Sequence, residues 1–332
     1  MKLNIEHQFD LSEYNTLRLR ASAKSFAQID SQKQLEVLTH QYQGQSIRVL
    51  GSGSNTVLAS DLIDGLVLQF VNQEVKLISQ DQDISVIEVG AGMIWDQFVE
   101  WSVDQGFAGL ESLSLIPGTV GSSVIQNIGA YGYQSGDYVA YVRVWDNLKR
   151  AWKILSKGEI NFAYRDSIFK RDRQLLVYSV GFALKYGDLA EVRYGNIFSQ
   201  SENIRVSPAQ LRARVIKVRR SKFGDIATNP SAGSFFHNPF ITKQHLEKLQ
   251  SQYPDLVHFD HFGQEKVAAG WLIEQLGYKG QTIDGWEVSA KNALVLINRG
   301  GSAKNLINLA SKIQEEVRKK FTIDLEIEPT IW

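Results

Sequence analysis

Residues 109–132 read GLESLSLIPGTVGSSVIQNIGAYG, and the interpretation of the whole chain starts from this run. It combines glycines with hydroxyl and amide side chains and contains neither Lys nor Arg. Such a composition disfavours a helix, and dense glycines allow positive φ and a close approach of the backbone to another group. Successive backbone N–H groups in glycine turns form concave anion sites. We therefore predict that this run binds a buried polar ligand rather than forming only tight turns.

Two further glycine turns precede this run. The apolar segment 47–50 leads into Gly51-Ser52-Gly53-Ser54-Asn55, and the segment 86–89 leads into Gly90-Ala91-Gly92. The sequence GSGSN is neither a GxGxxG fingerprint nor a Walker A loop, so by itself it is equally consistent with a plain turn. Three glycine turns that follow short apolar segments together favour one extended ligand, and a dinucleotide fits that pattern better than a monophosphate.

Composition excludes several classes of protein. The chain has 332 residues, with 36 basic and 36 acidic side chains, so there is no electrostatic footprint for nucleic acid or an anionic membrane. It contains no cysteine, and its six histidines show no metal-ligand spacing, so no metal is expected. The N-terminus lacks the pattern of a signal peptide, and no apolar run is long enough to span a bilayer. We expect a cytoplasmic monomer without membrane insertion.

Hydrophobic periodicity predicts an alternation of strands and helices, with a domain boundary near Asn203. Ser31 is the expected N-cap of a helix that stops at Gly44. The expected strands are 14–19, 47–50, 65–70, 86–89, 139–144, 151–155, 176–184, 293–297 and 322–332. The other expected helices are 94–103, 207–218, 242–253, 267–276 and 302–321.

Several polar side chains remain ambiguous when only their pattern is considered. The basic face of the helix 207–218 is consistent either with solvation or with attraction of an anionic substrate. Arg165 resembles a surface ion-pair residue, and Ser234 resembles a turn serine rather than an acyl-transfer nucleophile. Glu326 and Glu328 share one side of the last expected strand, a position that is typically exposed to solvent.

An ordered set of motifs resolves these ambiguities by resemblance. The set closely resembles the MurB family of UDP-N-acetylenolpyruvoylglucosamine reductases in its longer, type I form, from about Asn15 to Glu328. The motifs are LGSGSN (50–55), VGAG (89–92), the run 109–132, YRDSIFK (164–170), AGSFFHNP (232–239) and KVAAGWLIEQLG (266–277). No single motif is diagnostic, but the order of all six is highly specific.

The resemblance implies an α+β fold with two domains. A vanillyl-alcohol-oxidase/PCMH-type FAD-binding domain would occupy residues 1–203, with subdomains of about 1–70 and 71–203. A smaller α+β substrate-binding domain would occupy residues 204–332. The implied cofactor is non-covalent FAD, with NADPH as the co-substrate. The residues expected to hold FAD are Leu50, Gly51, Ser52, Gly53, Ser54, Asn55, Gly118, Thr119, Gly121, Ser122, Ser123, Gln126, Asn127, Gly129, Ala130 and Tyr131.

The resemblance also implies the reaction, which is reduction of UDP-N-acetylglucosamine enolpyruvate to UDP-N-acetylmuramate for peptidoglycan synthesis. Arg165 would bind the substrate carboxylate, and Ser234 would donate a proton to C2. Glu328 would polarise the carboxylate, for which it is expected to be protonated. The expected substrate contacts are Tyr194, Lys222 and Asn238.

The sequence departs from the family pattern at Val124, at Phe223-Gly224 and at Pro329. A shift of one residue pair in the last strand would exchange the roles of Glu326 and Glu328. Two alternatives stay open. One is a different FAD-dependent oxidase or dehydrogenase of the same fold, and the other is a non-catalytic flavin or nucleotide-sugar binding protein.

Overall fold

The computed structural model describes residues 3–187, 190, 206–261 and 263–332. The chain divides into two compact units. Unit 1 comprises Met1–Phe9, Ala23–Ser52 and Asp64–Ser221, and unit 2 comprises Asp10–Ser22, Gly53–Ile63 and Lys222–Trp332. Within these described residues, no helix combines the length and apolar character needed to cross a bilayer.

Helices and short strands alternate along the described chain. The α-helices are α1 (Gln32–Gln41), α2 (Trp95–Asp104), α3 (Val120–Ile125), α4 (Lys157–Ile160), α5 (Ile168–Arg171), α6 (Pro208–Phe223), α7 (Lys243–Gln252), α8 (Ala269–Glu274) and α9 (Ala303–Phe321). The strands up to the end of the long central sheet are β1 (Glu6–Asp10), β2 (Ser22–Ile29), β3 (Ile47–Val49), β4 (Thr56–Val57), β5 (Leu62–Phe70), β6 (Val75–Gln80), β7 (Ile84–Gly90), β8 (Phe107–Ala108), β9 (Gly129–Ala130), β10 (Tyr133–Gln134), β11 (Val139–Asp146), β12 (Ala151–Ser156) and β13 (Leu175–Tyr186). The later strands are β14 (Phe240–Ile241), β15 (His258–His261), β16 (Gln264–Val267), β17 (Thr282–Ile283), β18 (Trp286–Val288), β19 (Leu296–Asn298) and β20 (Thr330–Ile331).

Most of unit 1 is built on two sheets. The first has the strand order β1-β2-β5-β3, and the second has the order β12-β11-β13-β7-β6 with β8 on the edge of β13. The second sheet is antiparallel where β11, β13 and β7 pair, so one of its faces can pack on helices. The core includes Trp95 and Phe98 from α2, Val120 and Val124 from α3, and Phe182 from β13. This packing fixes the glycine turns that connect the strands to α2 and α3.

The described part of unit 2 contains three small sheets and the α-helices α7, α8 and α9. Its described sheets have the orders β14-β16-β15, β17-β18-β19 and β20-β4. Helix α9 buries Leu306, Leu309, Ile313 and Val317 on one face, as its periodicity predicts. Strand β20 pairs with β4 in parallel, so the end of the chain is joined to the segment that follows the first glycine turn.

Many expected elements are confirmed with small shifts of their ends. Helix α1 begins at Gln32 after Ser31, whose side chain forms a capping box with Gln34. The three strands predicted between 139 and 184 correspond to β11, β12 and β13. These elements carry their signal locally, in an N-cap residue or in a run of β-branched and aromatic side chains.

The strand predicted at 14–19 is wrong. Ser12–Tyr14 is a 3₁₀ helix, and the side chain of Asn15 donates to the carbonyl oxygens of Leu11 and Leu19 while accepting from the N–H of Leu19. A buried asparagine that satisfies the backbone in this way supports a loop instead of a ladder. The true strand, β2, lies just downstream.

Two further expectations differ from the structure. The run 109–132, expected to lack helix, contains α3, which begins after Thr119 because Thr119 and Ser122 form a reciprocal capping box. The strand expected at 322–332 is reduced to β20 and an isolated bridge between Phe236 and Ile327, since Pro329 offers no N–H to a ladder.

The compact units part between Ser221 and Lys222 rather than after residue 203. The reason is α6, which buries Leu211 and Val215 and pairs Arg212 with Asp96 of α2. The segments 10–22 and 53–63 belong to unit 2, an exchange that spacing along the sequence did not indicate.

Candidate active site

The three glycine turns approach one another closely. A Cβ atom added to Gly51 would lie 3.2 Å from Thr119 Oγ1, and one added to Gly121 would lie 2.9 Å from Ala91 Cβ. A Cβ atom on Gly92 would lie 2.4 Å from the carbonyl oxygen of Phe70. These distances leave no room for a side chain, so the glycines permit the first, second and third turns to pack together.

Hydrogen bonds within the protein use the backbone N–H groups at the start of α3 in the long run. Val120 N–H donates to Met93 O at 2.8 Å, and Gly121 N–H donates to Ala91 O at 2.9 Å. Thr119 N–H donates to Ser122 Oγ at 2.8 Å, and Ser122 N–H donates to Thr119 Oγ1 at 3.3 Å. The amides from Thr119 to Ser123 are therefore not free, because carbonyl groups in or beside the second glycine turn accept two of them and the cap and first turn of α3 use the others.

Asn127 is likewise used by the protein itself. Its Nδ2 donates to Gln134 Oε1 at 3.0 Å and to Ala163 O at 2.7 Å. Its Oδ1 accepts from the N–H of Gly136 at 3.0 Å. The side chain thus ties the end of the run to two other segments. Asn127 belongs to the framework of the expected cofactor site rather than to its free donors.

The first glycine turn is different. Ser52 Oγ has essentially no accessible surface and no hydrogen-bond partner among the described residues. No acceptor in the described chain takes the backbone N–H groups of Gly51 or Ser52 either, whereas Gly51 O accepts from Gln69 Nε2 at 3.1 Å. Buried donors without partners are uncommon in native proteins and need a specific explanation, and here the donor lies in a glycine turn. Phosphate oxygens are acceptors, so this donor set fits the pyrophosphate of a dinucleotide.

The rest of that turn is anchored in unit 2. A Cβ atom on Gly53 would lie 2.2 Å from Tyr14 O, and Gly53 has a φ of +62°. Asn55 O accepts the N–H of Thr330 at 2.9 Å. Leu50, at the other end, is buried and donates its N–H to Leu68 O at 2.8 Å. These residues fix the course of the backbone on either side of Gly51 and Ser52.

Arg165 lies beside the end of the long run in unit 1. Its Nη2 donates to Gly129 O at 2.6 Å, and its guanidinium lies 5.3 Å from the ring centroid of Tyr164. Arginine has five N–H donors, so these contacts orient the group without saturating it. Positive φ values cluster here, at Leu115 (57°), Asn127 (47°), Tyr131 (53°) and Arg165 (54°). Strain of this kind concentrates at functional sites.

Two arginines on the basic face of α6 lie in environments that the sequence did not decide. Arg212 is buried and pairs with Asp96 at 2.7 and 3.1 Å. It therefore forms an ion pair within the protein, and neither of the two expected roles, solvation or attraction of a substrate, applies to it. Arg219 Nε donates to Leu115 O at 3.3 Å. Desolvation lowers the pKa of Arg219, and Tyr131 acts in the opposite direction. Burial raises the pKa of the Tyr131 phenol, so this cation and phenol form one desolvated pair beside the strained run.

Ser234 lies in an extended segment of unit 2 that is held on both sides. Phe235 N–H donates to Leu294 O at 2.7 Å, and Phe235 O accepts the N–H of Glu328 at 3.0 Å. Ser234 is half-buried, and its hydroxyl has no hydrogen-bond partner among the residues that the structure describes. A Cβ atom on Gly233, which has a φ of +72°, would meet nothing within 4 Å. The backbone around Ser234 is therefore fixed, while its hydroxyl is not used by the described residues.

The two candidate glutamates differ in environment. Glu326 is exposed, and its carbonyl oxygen accepts the N–H of His237 at 2.9 Å. Glu328 has a side chain that is 16% exposed, and its Oε2 lies 3.6 Å from Nδ1 of His237. The half-buried carboxyl group next to the Ser234 segment is therefore that of Glu328. His237 is a neighbour that the sequence analysis missed, although its place in the FFHNP motif marked it.

The expected substrate contacts are only partly visible. Tyr194 lies outside the described residues. Lys222 is exposed at the end of α6, with its Nζ 5.5 Å from the ring centroid of Phe223. Asn238 Oδ1 accepts the N–H of Ala269 at 3.0 Å, which fixes this side chain at the start of α8. The structure thus groups Arg165 with Asn127 and Gly129 in unit 1, and Ser234 with Glu328 in unit 2. No group of three metal-ligating side chains occurs in the part of the chain that the structure describes.

Comparison with known proteins agrees with these two halves. Residues 25–149 match the family described as FAD binding domain, and residues 225–332 match the C-terminal domain of UDP-N-acetylenolpyruvoylglucosamine reductase. The reductase of Bdellovibrio bacteriovorus is 38% identical over 99% of this chain and 100% of its own length. The reductase of Polynucleobacter asymbioticus is 39% identical over 96% of this chain and 93% of its own length.

Solved structures agree on the fold. The crystal structure of MurB from Thermus caldophilus matches with a TM-score of 0.72 at 24% identity, covering 100% of this chain and 99% of that one. The predicted fold class, an α+β flavoprotein fold with an FAD-binding domain, is confirmed. On the strength of its full-length relatives, the chain belongs to the UDP-N-acetylenolpyruvoylglucosamine reductase family.

Proposed function

We propose that this enzyme uses NADPH and bound FAD to reduce UDP-N-acetylglucosamine enolpyruvate to UDP-N-acetylmuramate, a step of peptidoglycan precursor synthesis. The full-length similarity to enzymes named UDP-N-acetylenolpyruvoylglucosamine reductase supports the reaction. The match to an FAD binding domain supports the cofactor. The remaining steps concern which side chains of this chain carry the chemistry.

The observation that carries the proposal is the hydroxyl of Ser234. The backbone of the next residue, Phe235, is held by Leu294 and Glu328, and the Oγ of Ser234 has no partner in the described chain, so this hydroxyl is available to a ligand. A turn serine with a purely structural role normally uses its hydroxyl to bond a nearby backbone group. Ser234 does not, so a substrate group is the better explanation.

When bound, FAD supplies a hydride from N5 to C3 of the enolpyruvyl group, after taking one from NADPH. Negative charge then develops at C2 and spreads into the substrate carboxylate. Arg165 binds that carboxylate in the proposal, because a guanidinium oriented by Gly129 O matches the two carboxylate oxygens. Desolvation strengthens such a contact.

Ser234 donates the proton that C2 requires. A serine hydroxyl is a weak acid, so it fills this role only because the enolate is strongly basic and close. Glu328 supports the substrate carboxylate as charge accumulates, and its half-buried position limits competition from water. In the same proposal Gly51 and Ser52 hold the cofactor pyrophosphate, and Tyr194, Lys222 and Asn238 bind the diphosphate and sugar of the substrate.

An anaerobic visible spectrum tests the proposal. The flavin bands should bleach on addition of NADPH and return on addition of UDP-N-acetylglucosamine enolpyruvate in the absence of oxygen. Bands that bleach without returning would leave the flavoprotein fold intact and contradict the substrate, in favour of another oxidase or dehydrogenase. Bands that never bleach would favour a non-catalytic binding protein.

The variant Ser234→Ala tests the assignment of the proton donor. We expect bleaching by NADPH at the wild-type rate and a return of the bands that is slower by roughly 10²- to 10⁴-fold. Ser251→Ala is the control, because this serine of α7 bonds only Lys248 O in its own helix. Equal slowing of both half-reactions by Ser234→Ala would contradict a role specific to protonation.

A further inference from the structure

The segment that carries Ser234 also carries a histidine that contacts the candidate catalytic carboxyl group. His237 N–H donates to Glu326 O, and Glu328 N–H donates to Phe235 O, which fixes the register of the two chain segments. In an antiparallel pair of this register, His237 and Glu328 are diagonal neighbours on one face. The register therefore brings the imidazole to the carboxyl group.

The contact between these side chains is shielded from solvent but is not a direct hydrogen bond. Nδ1 of His237 is buried and lies 3.6 Å from Oε2 of Glu328, within ion-pair range and just beyond hydrogen-bond distance, and the two side chains are 15% and 16% exposed. A carboxyl group with so little access to solvent depends on protein partners for its orientation. Glu326, which faces His237 across the register, is exposed and needs no such partner.

We propose that His237 is a positioning residue that orients the carboxyl group of Glu328 through its Nδ1 atom. This inference rests on the proposed function, which assigns Glu328 to the substrate carboxylate. Since Glu328 acts only when the substrate is reduced, the effect of His237 is confined to that half-reaction. Reduction of the flavin by NADPH does not require it.

Asparagine and glutamine substitutions separate positioning from space-filling. The amide nitrogen of Asn reaches near the place of imidazole Nδ1, whereas that of Gln reaches near Nε2. We expect His237→Ala to slow the return of the flavin bands with the enolpyruvyl sugar by about tenfold or more, with no change in bleaching by NADPH. His237→Asn should recover most of that rate, and His237→Gln should not.

A second histidine supplies the matched control. His258 of β15 contacts Glu265 through Nδ1 at 3.2 Å in the same unit, and His258→Ala should leave both half-reactions unchanged. The double variant His237→Ala with Glu328→Gln should be no slower than Glu328→Gln alone. The proposal is overturned if Asn and Gln behave alike, or if the two single effects multiply in the double variant.

One measurement does not depend on catalysis. The imidazole ¹⁵N signals of His237, assigned by their absence in His237→Asn, should shift in Glu328→Gln, while those of His258 stay in place. Unchanged His237 signals would overturn the contact even in a protein that proves to be a different oxidoreductase. Shifted signals together with a wild-type enzyme that the enolpyruvyl sugar does not reoxidise would instead refute the proposed reaction and leave the pairing standing.

Discussion

The first glycine turn and the run 109–132 contain the same kinds of residue but use them in opposite ways. In the first turn, Ser52 Oγ is buried with no partner among the described residues. In the long run, Thr119, Ser122 and Asn127 all bond within the protein. Glycine and serine content indicates where the backbone comes close to other groups, but only the set of bonds already formed tells a ligand donor from a framework residue.

The largest expected effect comes from disturbing the framework. Gly121→Val places a side chain against Ala91, because even a Cβ atom added to Gly121 would lie 2.9 Å from Ala91 Cβ. We expect the free energy of unfolding to fall by about 3 kcal/mol, measured by urea denaturation, because neither turn can move away from the other. Weak FAD binding should accompany the loss.

Gly158→Val is the control for that variant. Gly158 lies in α4, and an added Cβ atom would meet nothing within 4 Å. Its unfolding free energy should stay within about 1 kcal/mol of the wild type. Comparable losses in both variants would mean that the packing of the glycine turns does not determine the loss of unfolding free energy.

A smaller loss is expected from Asn127→Ala. The substitution removes the bonds to Gln134, Ala163 and Gly136 and leaves the buried N–H of Gly136 without its acceptor. We expect the unfolding free energy to fall by about 2 kcal/mol. Asn147 is the control, because this half-buried residue uses its side-chain amide only for a bond to the exposed side chain of Gln174. We expect a change of about 0.5 kcal/mol or less for Asn147→Ala. An Asn127→Ala variant as stable as this control would contradict the structural role of the Asn127 side chain.

The smallest effect on stability is expected from Ser52→Ala, and this variant tests most directly whether the first glycine turn differs from the run 109–132. Removing an unpaired buried hydroxyl should leave the unfolding free energy of the FAD-free protein unchanged or slightly higher. The dissociation constant of FAD should rise by roughly five- to tenfold, since one hydrogen bond of about 1 kcal/mol is lost. Calorimetric titration of the FAD-free protein measures it.

Ser85→Ala is the matched control for this variant. Ser85 Oγ is also buried without a partner in the described chain, but it lies in the sheet on β7 rather than in a glycine turn. FAD affinity should therefore not change in Ser85→Ala. If both serine variants bind FAD equally well, the first turn does not supply the donor.

Local signals predicted the elements that depend on local bonds. Ser31 with Gln34 marked the start of α1, and the spacing of Leu306, Leu309 and Ile313 marked α9. The strand expected at 14–19 failed because the side chain of Asn15 satisfies the backbone of a loop, which alternating hydrophobicity does not reveal. Helix α3 was missed because the glycines in and around it disfavour helix, whereas its cap and its packing on Ala91 stabilise it.

The sequence by itself determined where glycine was required, which motifs follow one another, and the family that their order resembles. The tertiary structure decided which polar groups remain available. It satisfied Asn127, buried Arg212 against Asp96, and left Ser52 Oγ and the Ser234 hydroxyl without partners among the described residues. It also distinguished Glu328 from the exposed Glu326. The physical reason is that a hydrogen bond or an ion pair depends on atoms from distant parts of the chain, and spacing along the sequence does not record those contacts.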